Sequence, residues 1–514
     1  MITSFTAPTT GAAMHKLKEL VSANEARGAR TVIFCEDRLT LAAERMVCEA
    51  VGGTFSASVY TFARFLSGER GKCPDLLTSQ GSAMVIRRLI EENRSSLTLF
   101  KKLSAATAAQ DIYDTIALLY SSRVSPDDLA AVSSQSPVLE GKIRDLEFLY
   151  RAYTHYLDES GAVDRNRYLA LLPEVILSSP AVRGADVTFL GFQAFTCSVS
   201  ECASACMDAA GNVTGIFIGG REEVYVNEAS ASFAGVAKNY GGLNRRAVKS
   251  DLCPEAEILR ANIFNPEIFH TAKPLPTSAV TLFEGRDEEE EMRYIAANIV
   301  RHVFEEGVRY RAISVMLPDL DGYAPVLSRV FSEYDIPFYL DKRYSLAEHP
   351  VSAFLEGFLN CAADGCTQSS VFSVVTSPLF VVGGDRREGE RRKDKDLFVN
   401  YMLRLAGYRG GVKRKPREDI LSALNLDIFA VERVRGPFSS SLARIPTKGT
   451  GGQFCAALRA ILKDFNAEAT LEGMNTQFSG EYPSLAAFSG RAFESVNAVI
   501  DEAERLTDGL SMSV

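Results

Sequence analysis

A chain of 514 residues, 46% hydrophobic and 24% charged, exceeds what one core organises and falls in the range of roughly two to four globular domains. Its apolar runs fall far short of the ~20 residues that cross a bilayer, and its N-terminus lacks the basic-then-apolar block of a secretory leader, which points to the cytoplasm. A net charge of −9 excludes a uniformly basic nucleic-acid coat and leaves room for a local basic patch.

Ile2-Thr3-Ser4-Phe5 reads as a first strand that runs through Ala7-Pro8-Thr9-Thr10-Gly11-Ala12-Ala13-Met14-His15 into a helix. A nucleotide motor carries its phosphate loop at such a position. That loop needs glycines whose backbone N–H groups close on phosphates, a Lys for the β/γ oxygens and a Ser/Thr for magnesium. In every register around Gly11 the Lys position falls on Ala12, Ala13 or Met14. Thr10 and Gly11 therefore read as a degenerate nucleotide loop or a plain helix start, on a motor-like fold that does not burn ATP.

Thr31–Cys35 is a β-branched strand, followed by a helix with Leu39, Ala42, Ala43, Met46 and Val47 on one face. Val59–Phe62 reads as a further strand end. From about Leu76 to Leu172 the pattern is helical only, with Ser125-Pro126-Asp127-Asp128 as a capped helix start. Strands then resume at Asp186–Leu190 and Val213–Ile218, with a helix at Ser198–Ala209 between them. One α/β domain (1–75 and 175–272) is thus interrupted by a helical insertion (76–174).

After the Lys273-Pro-Leu-Pro276 linker, strands at Val280–Phe283, Ile313–Leu317 and Ile336–Leu340 alternate with helices at Asp287–Glu306 and Gly322–Tyr334. That βαβαβ order calls for parallel pairing and a second α/β domain over 277–375, left incomplete by the mostly helical 376–514. The acids Asp287–Glu291 suit the first turn of a helix better than a metal site. His349-Pro350 marks another helix start. Polar loops are expected at about Gly383–Arg417 and Pro437–Gly452. The chain stops soon after the helix Glu494–Leu506, so it reads as a piece of something larger.

The ten cysteines are scattered. Cys35, Cys48 and Cys206 sit in apolar patterns and read as reduced, buried thiols. Neither Cys197/Cys202/Cys206 nor Cys361/Cys366 forms a CxxC pair or has a nearby His, so no metal site is expected.

Two α/β layers, each interrupted by helices, is the layout of superfamily 1 helicases. Thr31–Cys35 with Leu41–Met46, and Tyr60-Thr-Phe-Ala-Arg64, resemble two of their motifs. More closely, residues 1 to about 360 resemble the N-terminal half of the AddB/RexB subunit of bacterial ATP-dependent helicase–nucleases. The resemblance rests on Val59–Phe65, Gly191-Phe-Gln-Ala-Phe-Thr196, Tyr310–Leu317, Tyr334–Asp341 and Ser345–Pro350. It implies two RecA-like, P-loop NTPase-like parallel-sheet domains. It also implies a DNA-scanning role in double-strand-break repair and recombination beside a motor subunit of the AddA/RexA type. In that family ATP and magnesium act at the motor, and an iron–sulfur cluster lies in a nuclease half that nothing here matches, so no cofactor is expected in this chain. Two departures stand out. Many relatives keep a phosphate loop, and many have an acid where this chain has Leu190; a motor needs that acid for magnesium and water.

Candidate DNA contacts follow. Phe62 and Arg64 lie at a strand end, where α/β sheets place their ligand crevice; an aromatic can stack on a base and an Arg can take phosphate or a guanine edge. Phe192 and Phe195 flank an equivalent turn and can stack or pack as an aromatic corner. Between Arg386 and Arg417 twelve Lys/Arg face four Asp/Glu, a surplus of eight. Arg386, Arg387, Arg391, Arg392 and Lys393 form one cluster; Lys413, Arg414 and Lys415, with Arg417, form another. Such a segment can track a DNA backbone, single-stranded or at a duplex end, with steep salt dependence, or be a solvated loop. The leading expectation is a non-catalytic, DNA-binding helicase-like module. The alternatives are an active superfamily 1 ATPase with an atypical loop, or a scaffold that docks a motor subunit.

Overall fold

The computed structural model describes residues 1–53, 56–71, 76–219, 228–263, 280–342, 344–384, 386–404, 412, 415–479, 483–507 and 510–513. The chain divides into two compact units, Met1–Thr281 and Leu282–Val514. The expected linker Lys273–Pro276 lies outside the described residues.

The first unit is built on six parallel strands: β1 (Ile2–Ala7), β2 (Thr31–Cys35), β3 (Ala57–Tyr60), β6 (Asp186–Leu190), β7 (Asn212–Ile218) and β8 (Asn244–Ala247), in the order β3-β2-β6-β7-β1-β8. Every residue of the inner strands β2 and β6 is buried, as a parallel sheet covered on both faces requires. Alternation sorts their side chains. Val32 and Phe34 join Phe189, Phe217 and Phe233 in one core, whereas Ile33 and Cys35 join Leu17, Val21, Leu39 and Ala43 in the other. Helices α1 (Thr10–Ala26) and α2 (Asp37–Val51) cover this second face. Helices α3 (Phe62–Arg70), α9 (Leu172–Ser178), α10 (Cys197–Ala209) and α11 (Glu228–Lys238) supply the first. The result is a three-layer α/β/α arrangement consistent with a RecA-like fold. Strand β8, absent from the sequence reading, is exposed along its length; its Arg245 and Arg246 suit a sheet edge.

The helical insertion holds α4 (Ser79–Glu92), α5 (Ala105–Ser121), α6 (Pro126–Ala130), α7 (Pro137–Ser160) and α8 (Arg165–Leu169). Its two ends are pinned side by side by a short parallel pair, β4 (Leu76–Leu77) and β5 (Val163–Asp164). Ser125 and Asp128 form the capping box that opens α6. Buried Asp145 on α7 accepts three backbone N–H bonds, from Thr98 at 2.8 Å, Leu99 at 2.7 Å and Phe100 at 2.8 Å, fixing the turn between α4 and α5. Pro254–Asn262 forms α12.

In the second unit α13 (Glu288–Glu306) and α14 (Leu320–Glu333) pack through Met292, Ala296, Ile299, Leu327, Val330 and Phe331. The acids that open α13 serve its N-terminus: Asp287 caps the helix, accepting from Glu290 N at 2.8 Å. The second parallel sheet, expected from Val280–Phe283, Ile313–Leu317 and Ile336–Leu340, does not form among the described residues; none of the three segments joins a ladder. Their alternation survives without pairing. Ile313, Val315 and Leu317 turn toward α13 and α14, whereas Met316 is 94% exposed.

The remainder is a helical bundle: α15 (Pro350–Asp364), α16 (Gln368–Val375), α17 (Glu388–Arg404), α18 (Glu418–Ala423), α19 (Ile428–Leu442), α20 (Gly451–Asp464), α21 (Ala467–Phe478) and α22 (Pro483–Thr507). An antiparallel clasp joins β9 (Lys448–Thr450) to β10 (Ser511–Ser513), and the core is rich in Phe354, Phe358, Phe380, Phe438 and Phe465. His349 caps α15, as expected of His-Pro, with Nδ1 accepting from Val351 N at 3.3 Å. Two expected loops are helical in part. Within Gly383–Arg417, α17 forms because Phe398, Tyr401 and Met402 anchor its C-terminal half and a paired acid, Asp394, fills a buried position. Within Pro437–Gly452, α19 continues past Pro437 to Leu442 because Phe438 and Leu442 are buried. Cys35 and Cys206 are buried, but Cys48 is exposed on α2.

Candidate nucleic-acid interface

Three places on the chain carry the residues singled out from sequence. The first is the C-terminal end of β1. Thr9 caps α1, its Oγ1 accepting from Ala12 N at 3.0 Å. Ala12, Ala13 and Met14, the positions that would hold a motor's lysine, are all buried in the core beneath the sheet. The same Thr9 hydroxyl donates to Asp251 Oδ1 at 2.5 Å. The carboxylate of Asp251, from the segment after β8, sits over Gly11 so closely that a Cβ there would collide with Oδ2. A helix N-terminus favours an anion, and the anion here is supplied by the chain. Lys16, further along α1, is committed to Glu19 at 2.7 Å and lies 4.6 Å from the Phe5 ring centroid.

The second place is where β3 and β6 end. Thr61 caps α3, its side chain accepting from Arg64 N at 3.2 Å, so Phe62 and Arg64 fall in the first turn after β3. Gly191, with φ of 73°, turns the chain after β6 into Phe192, a conformation that L side chains avoid. The aromatics converge. Phe62 stacks on Phe34 at 5.0 Å and lies 5.8 Å from Phe192; Phe195 meets Phe192 edge-on at 5.5 Å and packs near Phe217 and Phe233. Phe192 is 7% exposed; Phe62 and Phe195 are half-buried at the rim. Arg64 is exposed and paired with Glu44 of α2 at 3.0 Å.

The third place is the basic run, whose first half is the N-terminal part of α17 and the turn before it. Arg386 is engaged by Glu390 at 3.6 Å and Asp394 at 3.3 Å. Arg391, Arg392 and Lys393 have no carboxylate partner among the described residues, Arg387 donates its backbone N–H to Glu390 at 3.2 Å, and Lys415 is exposed. Lys413 and Arg414 lie outside the described residues. Asp394 is held below the ordinary carboxylate value by Arg433, with 2.8 and 2.9 Å bonds, and by Arg386. Among the described residues no cluster of His, Cys, Asp or Glu is disposed to hold a metal ion, and no helix is long and apolar enough to cross a membrane.

Asp251 was invisible to sequence reading. It lies 242 residues from Thr9 and has no local pattern beyond preceding the Cys253-Pro254 start of α12. Glu44 reads on its own as one charge on a solvated helix face.

Comparison with known proteins adds an independent line. The family model described as "ADDB, N-terminal" matches residues 9–272. The chain is 24% identical over 497 residues to the B subunit of the ATP-dependent helicase/deoxyribonuclease of Alkaliphilus oremlandii, covering 89% of this chain and 43% of that protein. It is 25% identical over 534 residues to the protein of the same description from Geobacillus thermodenitrificans, covering 92% and 44%. With that of Symbiobacterium thermophilum it shares 26% identity over 435 residues, covering 78% and 36%. The chain therefore spans less than half the length of these curated relatives.

Proposed function

Because this chain belongs to the AddB N-terminal family, we propose that it is the DNA-gripping, non-hydrolysing part of an AddB-type helicase/deoxyribonuclease subunit. The complex is one that repairs and recombines broken DNA in the cytoplasm. Its partners are single-stranded or end-bearing DNA and a motor subunit of the AddA type, and this part of the complex works without a resident cofactor. The architecture goes with this reading. The first unit is consistent with a RecA-like lobe carrying a helical insertion. In this reading α13, α14 and their flanking segments stand where a second lobe of a superfamily 1 layout begins, although they form no sheet among the described residues, and the α15–α22 bundle follows them.

The carrying observation is the closed end of β1. A motor lobe must hold a triphosphate with N–H groups, a lysine and a magnesium-binding hydroxyl. At this helix start the lysine positions Ala12, Ala13 and Met14 are buried apolar residues, the positions after them carry no hydroxyl for magnesium, and the carboxylate of Asp251, held by the Thr9 cap hydroxyl, lies over Gly11 where a phosphate would approach. Phosphate repels that carboxylate. The aromatic rim at Phe62 and Phe195 and the cations at the start of α17 support strand binding by stacking and backbone attraction.

The test is a pair of measurements on the full chain. ATP turnover with magnesium and DNA is expected to stay at background. A labelled single strand is expected to bind with an affinity that falls steeply as salt rises. DNA-dependent turnover that a substitution at Gly11 abolishes would remove the non-hydrolysing reading, and salt-insensitive or absent DNA binding would remove the gripping one.

A further inference from the structure

A cavity of about 670 Å3 opens in the bundle of the second unit, walled by Val381–Gly384, α17, the end of α19 and the start of α21. Its volume lies within the roughly 300–1,000 Å3 of small-ligand sites, more room than a single oxyanion needs. The wall is mixed, with Val381, Pro437 and Phe465 apolar and Arg391, Arg444 and Thr470 polar.

Among the described residues its charges do not cancel. Asp464 is the acid among the described residues of the wall, and it is already held by Arg444 at 2.8 and 3.1 Å and by the Ser441 hydroxyl at 3.0 Å. Arg391 remains, half-buried and without a carboxylate partner among the described residues. Lys395, four residues on and so on the same face of α17, likewise has no carboxylate partner among them. Its ammonium sits 5.4 Å from the Phe380 ring centroid, donates to Ser377 O at 3.4 Å, and is pushed down to about 8 by burial and then by Arg391. The acid between them, Asp394, is committed to Arg433 and Arg386. Arg391, half-buried in the wall with Asp394 and Asp464 both engaged elsewhere and with the Lys395 cation one turn further along α17, is a charge that a ligand anion completes.

We propose that this cavity seats the phosphoryl group of a nucleotide unit, with Arg391 as its cation, Arg444 and Thr470 as flanking polar groups, and Val381 and Pro437 against the sugar or base. The inference deepens the DNA-gripping reading by giving the strand a specific phosphate seat. Free phosphate is the other source of the same chemistry.

The experiment measures binding of a fluorescein-labelled oligothymidylate by anisotropy, and the thermal shift produced by inorganic pyrophosphate, on the full chain. Arg391→Ala and the cavity-filling Thr470→Trp are compared with Arg311→Ala, which removes an exposed cation elsewhere in the same unit. The first two are expected to weaken the oligonucleotide about tenfold and Arg311→Ala less than about twofold, with the log-salt slope of Arg391→Ala reduced by about one. Equal losses for Arg391→Ala and Arg311→Ala would overturn the proposal, because they reduce the effect to bulk charge; so would wild-type affinity in Thr470→Trp. If the intact chain binds no DNA, the gripping reading falls and pyrophosphate decides. A wild-type thermal shift that Arg391→Ala abolishes keeps the seat with free phosphate as its source, and no shift removes it.

Discussion

Thr9 and Asp251 hold each other across 242 residues, Oγ1 donating to Oδ1 at 2.5 Å, at the helix start where a helicase motor would hold triphosphate. The contact does two things. It ties the segment after the edge strand β8 back to α1, and it answers the positive end of α1 with a charge from within the chain. In the proposed non-hydrolysing reading, the missing lysine accounts for the lack of turnover, and an internal carboxylate in the same place accounts for the lack of a nucleotide seat.

Gly11 is where that contact can be read out. In an exposed first turn Gly→Ala ordinarily gains up to about 1 kcal/mol of helix stability. Here the new Cβ meets Asp251 Oδ2 and forces the carboxylate off Thr9. Gly11→Ala is therefore expected to lose about 1 kcal/mol in the wild-type background, and to be neutral or stabilising in Asp251→Ala. Chemical denaturation of the four members of the cycle gives the coupling, expected to exceed about 0.5 kcal/mol; additive effects would show that the carboxylate simply moves aside.

Arg64 bears on DNA binding through its partner. The guanidinium is tied to Glu44 at 3.0 Å, with both side chains substantially exposed, so the pair is worth about 0–1 kcal/mol. Glu44→Gln frees the cation without touching the aromatic rim. The expected result is single-strand affinity raised roughly two- to fivefold at low salt, a gain that fades as salt rises and is absent when Arg64→Ala is added. Unchanged affinity in Glu44→Gln would place the strand away from α3.

Legibility followed the range of the signal. The strands β1, β2, β6 and β7 were readable because each carries its own apolar run, and the helix starts at Ser125 and His349 because their caps are local. Pairing is not local. Ile313–Leu317 shows strand alternation in full, with Val315 inward and Met316 outward, yet alternation reports only which side faces a core and not whether a neighbour strand exists. α17 reads as a loop from sequence because the buried position in its N-terminal half holds an aspartate, and a paired acid looks like any polar residue until Arg433 is in place. Phe62 was readable as a strand-end aromatic, but its stacking on Phe34 and the commitment of Arg64 to Glu44 depend on the fold.

Asp145 sets the geometry of the helical insertion. Buried on α7, it accepts backbone N–H bonds from Thr98, Leu99 and Phe100. Each donor left unsatisfied in a buried site costs about 1–3 kcal/mol. Asp145→Ala is expected to lose about 3 kcal/mol or more, and Asp145→Asn, which keeps one acceptor oxygen, about half as much. Urea midpoints of the full chain check this, and amide exchange at Thr98–Phe100 should accelerate in both variants.

The second unit carries two proton-linked contacts with separate windows. His349 caps α15 through Nδ1, which accepts only while the ring is neutral, and burial lowers its pKa below 6.5. The unfolded imidazole takes up a proton first as pH falls. The stabilisation is therefore complete above about 6.5 and is lost as pH drops through the lower folded value. Asp394 has a folded pKa below the ordinary 3.8, because Arg433 and then Arg386 favour its charged form. Its contribution is present above about pH 4 and disappears as pH falls through that depressed value. Melting of the chain from pH 7 to 5 should accordingly decline less in His349→Asn, which still offers a cap acceptor but does not titrate. In Asp394→Asn the decline below pH 4 should flatten, on a baseline lowered by about 2–4 kcal/mol. That cost is less than for a fully buried pair, since the Arg433 side chain is 32% exposed and partly screened. Parallel pH profiles for wild type and both variants would place the titrating groups elsewhere.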